Sequence, residues 1–186
     1  MSEDEILMDV EERMEKAVNK LKSDLAGIRT GRANPGLVDS LKVDVYGSPC
    51  PIKQVASVGC PEPNQILIRP YDPGTLKDIE KAVQAADLGF NPQNDGRVVR
   101  LIVPALSTDV RRKMVARVKD LSEEAKVAIR NIRRDGNKTA EKAEKDKTLS
   151  EDQRDEVREE IQELTKKYEE SANSLSKMRA KEVMED

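Results

Sequence analysis

The chain has 186 residues, with 33 lysines and arginines against 36 aspartates and glutamates, no histidine and no tryptophan. A net charge of −3 gives no global reason to expect a polyanionic partner, and 2% aromatic content leaves too little bulky apolar volume for a large compact core. Without histidine, the usual serine and cysteine triads and histidine metal sites are excluded. Long helices with narrow apolar seams suit such a composition instead.

Ser2 followed by Glu5 reads as a capping box that opens a first helix, and Ile6, Val10, Met14, Ala17, Leu21, Leu25 and Ile28 continue it at gaps of three or four as far as Gly31. The acidic start, Met1-Ser2-Glu3-Asp4-Glu5, lacks the basic and apolar runs of a signal peptide, and no segment reaches the roughly 20 apolar residues of a membrane span. These features predict a cytoplasmic protein. Most glycines and prolines then fall within 31–104. Leu41 to Val45 alternates with a period of two, as a half-buried strand should, and Gly47-Ser48-Pro49 reads as a turn. Ile52 to Val58 is the expected returning strand, and 65–69 and 98–103 are two more. Between them, Leu76, Ile79, Ala82 and Val83 predict a short helix over 75–86. Cys50 and Cys60 sit beside prolines in loop-like contexts and read as reduced thiols, outside any disulfide framework.

After Ser107-Thr108-Asp109, a group of possible N-caps, Val110, Met114, Val118, Leu121, Ala125, Ala128 and Ile132 predict a long second helix. Ser150 with Gln153 opens a third, whose stripe is Val157, Ile161, Leu164, Tyr168, Leu175 and Met178. The short connection near Lys147-Thr148-Leu149 makes helices two and three antiparallel neighbours. The expected fold is therefore α+β: a three-helix bundle of residues 1–30 and 106–186, with a small α+β domain of residues 31–105 inserted into it. Two linkers, 31–36 (Gly31, Arg32, Pro35 and Gly36) and 104–106 (Pro104, Ala105 and Leu106), join the two domains and are expected to act as a hinge.

No phosphate loop, dinucleotide fingerprint or metal-ligand spacing is present, and carboxylates on solvated helix faces lack the cleft that would tune a catalytic pair. The expectation is a protein with no enzymatic activity, no cofactor and no metal. Charge is unevenly placed, however: residues 111–134 hold nine cations against three anions. At about 100° per residue, with Arg130 at zero, the apolar stripe of helix two points near ~200°, while Arg112, Lys119, Lys126, Arg130, Arg133 and Asn137 gather near ~340°. One reading of this row is a solvated face that pairs with the acidic third helix within the bundle, and a rival reading of the chain is a coiled-coil-like adaptor whose acidic third helix meets a basic partner. The other is a phosphate-binding surface. Arginine dominates its centre, Arg130, Arg133 and Arg134 have no acid at positions 125–133 to pair with locally, and Arg29 and Arg32 add charge where helix one ends. Because aromatic stacking residues are scarce, such a surface would recognise the backbone and shape of folded RNA.

At these residues the sequence resembles the ribosome recycling factor family. Ile28-Arg29-Thr30-Gly31-Arg32-Ala33-Asn34-Pro35 and Ala128-Ile129-Arg130-Asn131-Ile132-Arg133-Arg134-Asp135 resemble the family's signatures in the first and second helices, and Asp87-Leu88-Gly89-Phe90-Asn91-Pro92 is similar to an element of its inserted domain. Gly136 stands where the family often has alanine, which should loosen the helix by roughly 0.5–1 kcal/mol. The resemblance implies an L-shaped monomer with a β/α/β sandwich as its short arm. It further implies that the protein acts on the post-termination ribosome with elongation factor G and GTP to split the subunits. The bundle would lie against large-subunit ribosomal RNA near the intersubunit bridges, away from any membrane. Arg130 and Arg133 become the leading RNA contacts, supported by Arg111 and Arg29. Arg134 beside them, and Lys126, Arg112 and Lys119 by their helical phase, complete the candidate contacts. Arg32 would order the hinge or contact RNA beside it.

Overall fold

The computed structural model describes residues 1–89 and 91–185. Phe90, within the third signature segment, lies outside the described residues, as does the last residue of the chain. Two compact units emerge: a helical unit of Met1–Leu25 with Val115–Lys181, and a second of Ala26–Met114 with the end of the chain from Glu182. Among the described residues, no helix is long and apolar enough to cross a membrane.

The helical unit is built from α1 (Glu3–Ala26) and two longer helices that extend beyond it, Thr108–Lys145 and Glu151–Glu185. Both capping boxes form. The Ser2 amide donates to Glu5 Oε2 at 2.9 Å while Ser2 Oγ accepts from the Glu5 amide, and Ser150 and Gln153 repeat the exchange. Thr108–Lys145 ends in a Schellman turn. Lys147 takes a φ of 60°, the Lys147 amide donates to Glu144 C=O, and the Thr148 amide donates to Ala143 C=O, both at 2.9 Å. Leu149 is buried beyond it, and the chain turns straight into the next helix.

The antiparallel pairing shows in a ladder of contacts that climbs one helix as it descends the other. Glu144 pairs with Arg154 at 2.7 Å, Gly136 faces Ile161, Arg133 reaches Gln162 and Arg130 meets Glu169. On the opposite flank α1 packs against both long helices, with Val10 beside Gly136, Arg13 bonded to Asp135 at 2.8 Å, and Glu11 accepting from Lys167 and Tyr168 at 3.1 Å. Ile6, Val10, Met14, Ile129, Ala140, Val157 and Ile161 form the centre of the core.

The phase of the 108–145 helix differs from that read in the sequence. Val118, Leu121, Ser122, Ala125, Ile129, Ile132, Gly136, Ala140 and Ala143 are its buried residues, and they centre near about 240° on the scale that sets Arg130 at zero. Val110, Met114 and Ala128, expected in the seam, are only half-buried. The displacement comes from small residues: Ser122, Gly136, Ala140 and Ala143 let neighbouring helices approach, so they belong to the seam although they are not large and apolar. In the third helix Met178 is 62% exposed, because the buried line runs Tyr168, Ala172, Ser176 and Val183.

In the second unit, β1 (Lys42–Val45) and β2 (Ser48–Pro51) form a hairpin, and β3 (Ala56–Glu62), β4 (Gln65–Pro70), β5 (Pro92–Asn94) and β6 (Val99–Ile102) form an antiparallel sheet in the order β3-β4-β6-β5. Between Pro51 and β3, Ile52–Val55 forms a single helical turn, α2; α3 spans Leu76–Ala85 and packs against β1 and against β5 and β6. Hairpin, helix and sheet enclose one core around Val43, Ile52, Ile66, Ile68, Ile79, Val99 and Leu101, which makes this unit a β/α/β sandwich. The returning strand begins at Ser48, earlier than expected, because Tyr46 (φ 52°) and Gly47 (φ 81°) complete a two-residue turn and free Ser48 to pair with Val45.

Two surface carboxylates hold loops of this unit. Asp72 accepts from the Gly74 amide and the Tyr46 hydroxyl, and Asp95 accepts from the amides of Val98 and Arg97; these bonds hold both below the ordinary value of 3.8. A lowered folded-state pKa contributes stability above the unfolded value, and that contribution is lost as pH falls through the folded one. Carboxyl titrations followed by NMR should place both midpoints below 3.8, with the two loops loosening only on further acidification.

Candidate RNA-binding surface

The cationic row is carried by the long helix Thr108–Lys145, here α4, and bordered by Glu151–Glu185, here α5. At 38 residues α4 is about 57 Å long at 1.5 Å per residue, a rigid carrier for charges a full turn apart. Since its seam centres near about 240°, Arg133 at about 300° and Lys126 at about 320° stand on the flank beside α5, and Arg134 at about 40° points away from the core. Exposure follows phase. The Lys126 side chain is 17% exposed and Arg130 45%, while Arg112, Lys119 and Arg134 are exposed.

The row is not bare. Arg130 Nε donates to Glu169 Oε1 of α5 at 2.8 Å, Arg133 Nη1 lies 3.4 Å from Gln162 Oε1, and Lys126 Nζ pairs with Glu123 at 3.2 Å. Arg112, Lys119 and Arg134 have no ion pair among the described residues. Pairing across to the acidic helix thus occurs at Arg130. Half-exposed ion pairs of this kind contribute about 0–1 kcal/mol, so a phosphate can displace Glu169 at small cost while the guanidinium stays in place. The long contact from Arg133 to Gln162 is weaker still.

Two further arginines singled out by sequence, Arg111 and Arg29, lie off the exposed row. Arg111 Nη1 donates to Met184 C=O at 2.7 Å and its Nε to Leu106 C=O at 3.3 Å, so one guanidinium holds a C-terminal carbonyl of α5 and the segment leading into α4. Arg111→Ala should lower the unfolding free energy by about 1–2 kcal/mol, and Arg112→Ala by less than about 0.5 kcal/mol, in denaturant titrations. Arg29 is half-buried, flanked along the chain by Ile28 and Thr30, which are 8% and 3% exposed. Asn137 is also half-buried, and its Oδ1 has no hydrogen-bond partner among the described residues.

The linker residues are tied to the sheet unit. The Ala33 amide donates to Pro63 C=O at 2.6 Å, Thr30 Oγ1 accepts from the Arg32 amide, and Asn34 Oδ1 accepts from the Gly36 amide to cap a short turn at Pro35–Leu37. A Cβ at Gly36 would stand 2.9 Å from Ala26 C=O, so only glycine allows that approach. At the other linker Val103 donates to Asn64 C=O at 2.7 Å, Pro104 and Ala105 are exposed, and Leu106 is buried. Both thiols are free; Cys50 is half-buried and Cys60 exposed.

Comparison with known proteins places this surface in context. Residues 21–184 match the family model described as ribosome recycling factor. Among curated relatives, the ribosome-recycling factor of Rhodopirellula baltica is 72% identical over 140 residues, 75% of each chain. That of Symbiobacterium thermophilum is 46% identical over 181 residues, 97% of this chain and 98% of the relative. A solution structure of the ribosome recycling factor superposes with a TM-score of 0.79 at 37% identity, covering 100% of this chain and 99% of that one. Models for the T. thermophilus ribosome recycling factor and the E. coli elongation factor G bound to the E. coli post-termination complex include a chain with a TM-score of 0.70 at 38% identity, covering 98% of this chain and 99% of that one.

Proposed function

The chain belongs to the ribosome recycling factor family, and on that premise we propose that it binds the post-termination ribosome and, with elongation factor G and GTP, splits it into subunits. The messenger is thereby released for another round of translation. The observation that carries this reading is the extent of the match: relatives bearing that name align with 97% of the chain, and the α-helical and sheet units recur together in the solved structures. The site of action is the cytoplasm. No catalytic residue of its own is required, because the partner's nucleotide supplies the energy.

On this reading α4 is a stiff rod whose cations meet the ribosomal RNA backbone. Arg130 and Arg133 lead the contact, with Arg134, Lys119, Lys126 and Arg112 extending it; Arg29 adds a contact beyond the end of α1, and Arg111 supports it by fixing the start of α4. Segments 31–36 and 104–106 are the hinge through which the small domain responds to elongation factor G. The adaptor reading is weaker, because Glu169 on the acidic helix is already engaged by Arg130 within the bundle.

The direct test adds the purified protein, elongation factor G and GTP to post-termination complexes and follows subunit dissociation by light scattering. Dissociation should require all three components. Complexes that stay intact at saturating protein would exclude the function.

A further inference from the structure

The signature segment Asp87-Leu88-Gly89-Phe90-Asn91-Pro92 joins α3 to β5, and two of its residues take left-handed backbone conformations, Asp87 (φ 48°) and Gly89 (φ 83°). Leu88 between them packs against the small-domain core and anchors the turn. What the turn presents is the bare backbone of Gly89, and what lies on it is Arg29. A Cβ at Gly89 would stand 3.0 Å from Arg29 Nη1 and 4.0 Å from its Cζ.

The contact is selective. Gly47 (φ 81°) and Gly96 (φ 92°) share a similar positive φ, yet a Cβ at either would meet nothing within 4 Å. Positive φ alone would therefore explain those two glycines, whereas Gly89 has a second reason to be glycine. On the other side, the buried Ile28 and Thr30 hold the main chain of Arg29, and Thr30 Oγ1 accepts from the Arg32 amide at 3.2 Å. Backbone and guanidinium are thus constrained from two directions, which limits the rotamers of a side chain that otherwise has many.

We propose that Gly89 is a positioning residue for Arg29: its bare backbone seats the guanidinium so that Arg29 is presented to ribosomal RNA in one orientation. The inference rests on Arg29 being an RNA contact, and it gives the third signature segment a task that requires no RNA contact of its own. A preorganised guanidinium loses less freedom when it meets a phosphate than one free to rotate. Any side chain at position 89 should displace it.

The test uses the full-length, 15N-labelled protein and reads two quantities: the side-chain Nε–Hε resonance of Arg29 and the affinity for the large ribosomal subunit. Gly89→Ala should move the Arg29 resonance and weaken binding by about tenfold, the scale of losing one hydrogen bond to a charged group. Gly89→Asn tolerates positive φ better but still carries a Cβ, and should behave alike. Gly47→Ala and Gly96→Ala impose comparable backbone strain and should leave both quantities unchanged. In an Arg29→Ala background, Gly89→Ala should cause no further loss of binding. An unmoved Arg29 resonance in both Gly89 variants, or losses that add in full, would overturn the proposal. Undiminished binding by Arg29→Ala alone would instead remove the RNA contact, with the resonance still reporting whether Gly89 seats the side chain.

Discussion

Replacing Arg130 and Arg133 together with alanine is expected to lower affinity for the large ribosomal subunit by about a hundredfold while leaving the fold of the helical unit intact. Each hydrogen bond to a charged group contributes about 1.5–3 kcal/mol, and two at the lower figure give a factor of about a hundred. Inside the protein these side chains do little: the half-exposed Arg130–Glu169 pair contributes about 0–1 kcal/mol, and the contact from Arg133 to Gln162 is 3.4 Å long. Binding should also lose about two units of slope in its logarithmic dependence on salt, using the value for duplex DNA as a guide. Co-sedimentation across a salt series measures both quantities, and far-UV circular dichroism during heating reports the fold. If affinity and melting temperature fell together, the two arginines would be structural. If affinity were lost without a change in salt slope, they would not be binding phosphate. Alanine at Ile129, one residue earlier and fully buried, supplies the contrast: it should cost about 2–5 kcal/mol of stability.

That contrast also shows which features were legible in the sequence. Local signals read correctly. Both capping boxes form because their partners lie three residues apart, and the helices they open were visible as stripes. Signals that depend on another element did not. Glu169 lies 39 residues beyond Arg130, so the absence of a local acid at positions 125–133 did not leave that arginine without an internal partner. Ile129 was outside the expected seam, because a stripe of large apolar residues cannot reveal that Ser122, Gly136 and Ala140 are also buried and rotate the seam by about 40°. β5 was missed for a similar reason. Pro92-Gln93-Asn94 has neither alternation nor strand propensity, and it is extended because β6 offers a free edge beside it. The hairpin turn was displaced because Tyr46, an unlikely residue for positive φ, takes one. Arg111 looked like another member of a basic cluster, and only the chain's return near Met184 shows which carbonyl it holds.

The same principle makes Gly136 a position where a side chain larger than a methyl group should cost the helical unit heavily. In an isolated helix, glycine is about 1 kcal/mol worse than alanine. Here, however, a Cβ would stand 2.7 Å from Val10 Cγ2 and 3.0 Å from Ile161 Cδ1, so α1 and α5 both close onto the bare backbone of α4. Gly136→Ala is therefore expected to be close to neutral, since the gain in helix propensity offsets the shift of two side-chain ends. Gly136→Leu has no such balance. Its added carbons must enter a space already filled by the fully buried Val10 and Ile161, and overpacking of this kind should cost about 3 kcal/mol or more. Denaturant titration followed by circular dichroism distinguishes the outcomes, and a Gly136→Leu protein as stable as the parent would show that the three helices do not close at this point. The consequence reaches the surface as well. Arg133, Arg134 and Asp135 immediately precede Gly136, and Asp135 is tied to Arg13 of α1 at 2.8 Å, so the height of α4 in the bundle sets where the two arginines emerge. A leucine that lifts α4 should therefore weaken large-subunit binding even at temperatures where the helices remain folded.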